Sequence, residues 1–298
     1  MRKILYTFLI VGALLFYATK VNALENPYYT NNNGLEMTEQ QYHNLLELGF
    51  TVKQIERMDY TTFQDNKDLE ATLEAEVGNY YKTTMTIRNG IEYYTTQLIS
   101  EEQYLEEMQL QLEHPTELDR SGNYYNGISA NSYKYIITRI STVNDDYKRY
   151  KVDAEWLQMP TKRSFDIMGI GVEANKINIS SAIVFRQDWT YTGGSTGYDA
   201  SCYPEETTTG SLVVFQLPSG SLSTLQSYAY FNVNKLPNVG LITELHATGD
   251  YAHATATSDS GAHNNVSINY ITGLVISSPY INYYDEIVPA VATFLGEW

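Results

Sequence analysis

From Tyr150 to Trp156 the chain alternates without a break. Tyr150, Val152, Ala154 and Trp156 share one side, and Lys151, Asp153 and Glu155 take the other. A period of two marks an extended strand and restricts the chain here to a sheet with two different faces. Ile177, Ile179, Ile183 and Phe185 repeat the pattern, with Ser181 between them. Leu212 to Leu217 is a short apolar run, and Tyr228 to Val233 and Val266 to Ile276 read as further strands. Gly, Ser, Thr and Asn turns separate these runs, which is the spacing of an antiparallel sandwich or barrel. Tyr283 to Phe294 fits neither a helix nor a strand cleanly, because Pro289 interrupts both.

The preceding segment has helical signals. Thr38 with Gln41 and Thr51 with Gln54 make two capping boxes, and Tyr42, Leu45 and Leu46 fall on one helical face. Gly49 supplies a stop followed by the apolar Phe50, Ile55 and Met58 continue the stripe, and a third turn is expected around Tyr60 to Phe63. Asn89-Gly90 between Asn79–Ile87 and Ile91–Ile99 predicts a hairpin. Ser100 with Gln103 caps a helix through Tyr104, Leu105, Met108 and Leu112, ending before Pro115. The breakers Pro115, Ser121-Gly122-Asn123 and Asn126-Gly127 then mark a module boundary. The expected fold class is α+β, mainly β. Residues 24–119 form an acidic helical region with a β-hairpin, and residues 120–298 an antiparallel β-sandwich-like or barrel-like domain.

The first residues read as an export signal. Met1-Arg2-Lys3 is basic, Ile4 to Ala18 is apolar, and Val21-Asn22-Ala23 offers small residues for cleavage after Ala23. Residues 1–23 are thus a signal peptide of a secreted, extracellular protein. The apolar run is short for a membrane span and no second one follows, so no stable membrane anchor is expected after cleavage.

Losing Arg2, Lys3 and Lys20 takes the formal charge from −16 to −19. Such a chain repels phosphate backbones, which excludes nucleic acid as a partner. A polyanionic cell wall would repel it as well, so release into the medium is expected unless calcium bridges the charges or a neutral glycan is recognised. The charge is segmented: residues 24–119 hold 19 acids and 5 bases, 120–186 hold 6 acids and 10 bases, and 187–298 hold 10 acids and one base. The basic middle can pair with its acidic flanks inside one fold. The single cysteine, Cys202, rules out a disulfide framework. Glu205 and Glu206 beside it disfavour a thiolate, leaving a partly buried inert thiol or pairing between chains.

Candidate chemistry concentrates in Glu244, His246, Asp250, His253, Asp259 and His263. An acid/base set of His246, Asp250 and His253 is one reading, and a metal site from Glu244, His246, His253 and His263 another. On an even strand His246 and His253 face opposite ways, and a bulge at Gly249 would be needed to unite them. Gly169-Ile-Gly171-Val-Glu-Ala174 matches a loose dinucleotide pattern, but the next residues alternate as a strand, so the glycines read as a bulge or turn and no cofactor is expected. The chain also holds 27 tyrosines against 9 phenylalanines and 3 tryptophans. Among the adjacent pairs, Tyr80-Tyr81, Tyr93-Tyr94 and Tyr124-Tyr125 are candidate binding residues. In a strand one ring of each pair leaves the inner face, where it can meet an extracellular glycan or protein.

Three stretches carry resemblances. Leu45 to Met58 resembles the helix-turn-helix of MerR-type regulators, a likeness that reports a tight helix–Gly–helix corner in an acidic, exported chain. Trp156-Leu-Gln-Met-Pro160-Thr-Lys-Arg163-Ser-Phe-Asp166-Ile-Met-Gly-Ile170 and Gly249-Asp-Tyr-Ala-His253-Ala-Thr255 resemble uncharacterised secreted proteins of Gram-positive bacteria. That resemblance implies an extracellular life and no specific activity. Arg163 and Asp166 are expected to pair with each other or with acidic parts of the chain, in a structural role. The resulting expectation is a non-catalytic exported binding protein with a Tyr-rich β surface. The alternatives are an extracellular hydrolase using the Glu244/His246/Asp250/His253 region and a membrane-active pore-forming protein.

Overall fold

The computed structural model describes residues 27–113, 126–285 and 287–298. The expected signal peptide at residues 1–23, Tyr124, Tyr125 and the Pro115–Asn123 breakers lie outside these residues. A short ribbon of β1 (Tyr29–Thr30) and β2 (Glu36–Met37) leads into helices α1 (Glu39–Glu47), α2 (Val52–Arg57) and α3 (Tyr60–Asn66). Both capping boxes form reciprocally, at Thr38/Gln41 and Thr51/Gln54. After α1 the Gly49 and Phe50 amides donate to the Leu46 and Leu45 carbonyls at 2.8 and 3.0 Å, closing the helix so that Phe50 turns back onto it.

Next come β3 (Ala71–Arg88) and β4 (Ile91–Ile99), then α4 (Glu101–Glu113). Asn89 and Gly90 join the two strands, at φ 53° and 76°, the conformation a two-residue hairpin turn requires. The remaining strands are β5 (Asn126–Val143), β6 (Tyr147–Gln158), β7 (Phe165–Val172), β8 (Ile177–Ile179), β9 (Val184–Tyr191), β10 (Thr196–Asp199), β11 (Tyr203–Thr207), β12 (Gly210–Gln216), β13 (Leu222–Lys235), β14 (Glu244–Ala252), β15 (Val266–Asn269), β16 (Gly273–Ile276) and β17 (Ala290–Leu295).

Two antiparallel sheets stack as an open sandwich. The larger runs β10-β9-β13-β6-β5-β3-β4 with β8 added beside β13, and the smaller runs β11-β12-β7-β14-β17. Among the described residues the strands close no barrel. Tyr150, Val152, Ala154 and Trp156 point into the inter-sheet core, where they meet Met168, Ile170, Phe215, Tyr251 and Phe294. A third layer, the helices, buries Leu45, Leu48, Phe50, Ile55 and Phe63 against Tyr228 and Tyr230 on the outer face of the large sheet. A fourth, β15–β16 with the 3-10 turn Ser260–Asn265, covers Ile167, Leu212 and Val214 on the small sheet.

β3 pairs with β5 from Ala71↔Val143 to Arg88↔Asn126, so the hairpin buries its inner face against the same core. Several expectations are corrected. Ile177 to Phe185 is two strands, β8 and β9, interrupted at Ser180–Ile183. Gly169, Gly171 and Gly249 mark no bulge, since β7 and β14 keep an unbroken register through them. They permit close approach instead. A Cβ on Gly171 would collide with the Asn269 backbone, and one on Gly249 with the Thr138 hydroxyl of the facing sheet. Pro289 ends the ambiguity at the C-terminus by preceding β17 rather than lying inside it. Lys151 and Asp153 of the polar row of β6 are buried under the helices, 1% and 5% exposed. There the basic middle does pair with acidic partners: Arg139 with Glu76 and Asp153, Lys148 with Glu74, and Arg186 with Asp59 and Asp188.

Candidate functional site

Even alternation along β14 sends Tyr251 inward and Asp250 outward, and His253, just past the strand, returns to the inner side. Asp166, on the neighbouring β7, receives three groups from this stretch. The Tyr251 hydroxyl donates to Asp166 Oδ2 at 2.5 Å, the Ala254 amide donates to Oδ1 at 2.9 Å, and His253 Nδ1 lies 3.0 Å from Oδ2. Trp156 Nε1 donates to the Tyr251 oxygen at 3.2 Å, and its ring meets the His253 ring edge-on at 4.8 Å. A carboxylate that orients an imidazole is the geometry of an acid/base pair. Here the imidazole is 1% exposed, and the cavity it shares with Thr83, Tyr94, Ser132 and Thr161 measures about 10 Å³, room for roughly one water.

Beside this pair lies a second buried set. Lys134 Nζ is 2.6 Å from Asp285 Oδ2, while Asp285 Oδ1 accepts the His253 amide at 2.7 Å. The Thr83 and Thr96 hydroxyls donate to Asp285 Oδ2 at 3.3 and 3.1 Å. Burial alone would raise the Asp285 pKa, but Lys134 and His253 outweigh it and hold the carboxyl below its usual range. Asp250 faces the opposite balance. It accepts the Tyr251 and Leu274 amides at 2.7 Å each, yet burial dominates and pushes its pKa up to about 7. Asp250 and Asp285 both line a cleft of about 310 Å³ under β16.

The remaining candidates lie apart. His246 Nε2 is 3.3 Å from Glu244 and its Nδ1 3.0 Å from Thr293 Oγ1, on the outer side of β14. His263 sits on the 3-10 turn, stacked on Tyr203 with ring centroids 5.9 Å apart. The structure therefore brings together Glu244 with His246, and separates both from His253 and His263. Among the described residues no three His, Cys, Asp or Glu side chains gather as a metal site. Arg163 and Asp166 do not pair, because Arg163 donates to the Pro218 and Gly220 carbonyls and Asp166 is taken by the core. Cys202 is half-buried, and desolvation followed by Asp199 pushes its pKa up to about 11.

The tyrosine pairs split across the large sheet. Tyr81 is buried, its hydroxyl donating to the Val288 carbonyl, and Tyr94 turns inward, donating to Glu92 at 2.8 Å. Tyr80 faces outward and is half-exposed, 5.5 Å from Tyr104 and 4.3 Å from Tyr135 between ring centroids. Tyr93 is 46% exposed with the Arg88 guanidinium over its ring at 5.8 Å. Sequence reasoning missed Tyr104, Tyr135, Lys134 and Asp285. Lys134 did carry a signal, since it shares its strand parity with Ile136 and Ile140, and a cation among core positions demands a buried anion.

No protein-family model and no curated protein matches the chain. Among solved structures it is similar to the RrgA Jo.In complex, at 12% identity and a TM-score of 0.30, over 53% of this chain and 77% of that one. It is also similar to the C-terminal domain of the Streptococcus agalactiae AgI/II polypeptide BspA, at 9% identity and a TM-score of 0.26, over 62% of this chain and 78% of that one. A third likeness is to the full-length RrgB pilus protein of Streptococcus pneumoniae, at 8% identity and a TM-score of 0.26, over 59% and 41% of the respective chains. At these TM-scores the likenesses carry no argument. Among the described residues, no helix is long and apolar enough to cross a membrane.

Proposed function

We propose that the chain is an exported, non-catalytic binding protein that meets an extracellular glycan through the outer tyrosine face of its large sheet. The observation that carries this reading is the run of half-exposed rings Tyr104, Tyr80 and Tyr135, in contact at 5.5 and 4.3 Å. Such rings offer flat apolar surface with hydroxyls at the rim, which suits a sugar with one apolar and several polar faces. Burial and the Glu101 carboxylate, to which it donates at 3.2 Å, push the Tyr80 hydroxyl up to about 12, so it stays neutral at any physiological pH. Catalysis at the Asp166–His253 pair is disfavoured because the imidazole has no room beside it for a substrate.

The test is co-sedimentation of residues 24–298 with purified cell-wall glycan, with and without calcium. Pelleting that survives high salt and falls about tenfold in Tyr80→Ala and Tyr135→Ala supports the proposal. A protein left wholly in the supernatant overturns it.

A further inference from the structure

The edge of β14 is open along part of its length. β17 pairs with it only from Glu244 to Gly249, and the chain preceding β17 touches it again at the Ala254–Tyr284 bridge. Over this gap lies the 310 Å³ cleft, with aliphatic walls from Leu274, Ile276, Ile281 and Ile287 and with Asp250 and Asp285 among its polar groups. The Asp285 charge is answered by Lys134 at 2.6 Å. Asp250 is answered by two backbone amides, and among the described residues no cation lies within salt-bridge distance of it. A carboxyl with no ion-pair partner among the described residues and an apolar wall thus meet in one opening.

We propose that this cleft binds an organic cation, a primary ammonium on a short aliphatic stem, with the ammonium at Asp250 and the stem along Ile281 and Ile287. A hard metal ion is a poor fit, since it takes six or more oxygen ligands and one of the two carboxylates is already bound to a lysine. The formal charge, −16 for the full sequence and −19 for residues 24–298, draws cations towards the chain. The site uses none of the tyrosine-face residues, so its failure and the failure of the glycan reading are separate outcomes.

The experiment is calorimetric titration of residues 24–298 with n-butylammonium chloride at about pH 8. N-acetyl-lysine methylamide forms a second arm, with n-butanol and calcium chloride as controls. Saturable butylammonium binding that weakens at least about tenfold in Asp250→Asn and in Ile281→Trp supports the site. Ile281 is 51% exposed, so its tryptophan variant plugs the mouth without touching the core and carries the test if Asp250→Asn fails to fold. Binding of both amines assigns the ammonium to a peptide lysine, and binding of butylammonium alone to a small free amine. No saturable butylammonium binding, equal binding of butanol, or calcium competing the amine away overturns the proposal.

Discussion

Lys134 Nζ lies 2.6 Å from Asp285 Oδ2, and each of the two side chains is 1% exposed. The ammonium also lies over the Trp156 and Tyr251 rings, at 5.5 and 5.3 Å from their centroids. Asp285 reaches the β3–β4 hairpin through Thr83 and Thr96 and the end of β14 through the His253 amide. One ion pair therefore ties the long hairpin, the centre of the large sheet and the small sheet together at the side where both sheets have open edges.

Removing one partner leaves the other charged in a dry interior. Lys134→Met is expected to cost about 3–5 kcal/mol in urea unfolding, and adding Asp285→Asn should recover part of that loss. A single substitution that costs under about 1 kcal/mol would mean that water reaches the pair.

Gly249 sets how closely the sheets approach. A Cβ there collides with the Thr138 hydroxyl and comes within 2.8 Å of Val152 Cγ2. Gly249→Ala should therefore destabilise by about 1–3 kcal/mol, as overpacking does. Among the described residues the buried Thr138 hydroxyl has no hydrogen-bond partner, so Thr138→Ala should be tolerated and should relieve much of the Gly249→Ala defect in the double variant. Additive losses would place the strain elsewhere.

The elements that sequence made legible are those ruled by local chemistry. Thr38/Gln41 and Thr51/Gln54 cap their helices, Asn89-Gly90 turns its hairpin, and the period of two from Tyr150 to Trp156 sets which side of β6 meets the core. The reading of Gly169 and Gly171 as a bulge or turn failed because strand pairing and sheet-to-sheet distance are long-range, as is the pairing of β3 with β5. Asp166 and His253 are 87 residues apart, and Lys134 and Asp285 are 151 apart. A cluster of histidines close in sequence was visible, but alternation along β14 scatters it. The partners that His253 does find come from β7 and from the segment before β17.

Cys202 offers a local check on packing. With its pKa pushed up to about 11 by desolvation and by Asp199, its thiol should react with iodoacetamide slowly in the native protein near pH 8 and rapidly in urea. Equal rates would show that the thiol is not shielded.

Asp250 gives the chain a definite pH dependence. Its carboxyl is pushed from 3.8 to about 7 by burial, with Asp285 adding to the rise and Lys134 and two backbone amides opposing it. Tyr81, on β3, also lies within electrostatic reach of it. Between these two values the native state holds a proton that the unfolded chain has released. Stability contributed by Asp250 is thus fully present below about pH 4, falls as pH rises, and is gone above about pH 7. The shift corresponds to a loss on the order of 4 kcal/mol across that window. Asp250→Asn cannot titrate, so the difference in urea midpoint between the parent chain and this variant should move against the parent between pH 5 and pH 7.5. A difference that stays constant with pH would mean that Asp250 ionises at its ordinary value and is solvated through the cleft.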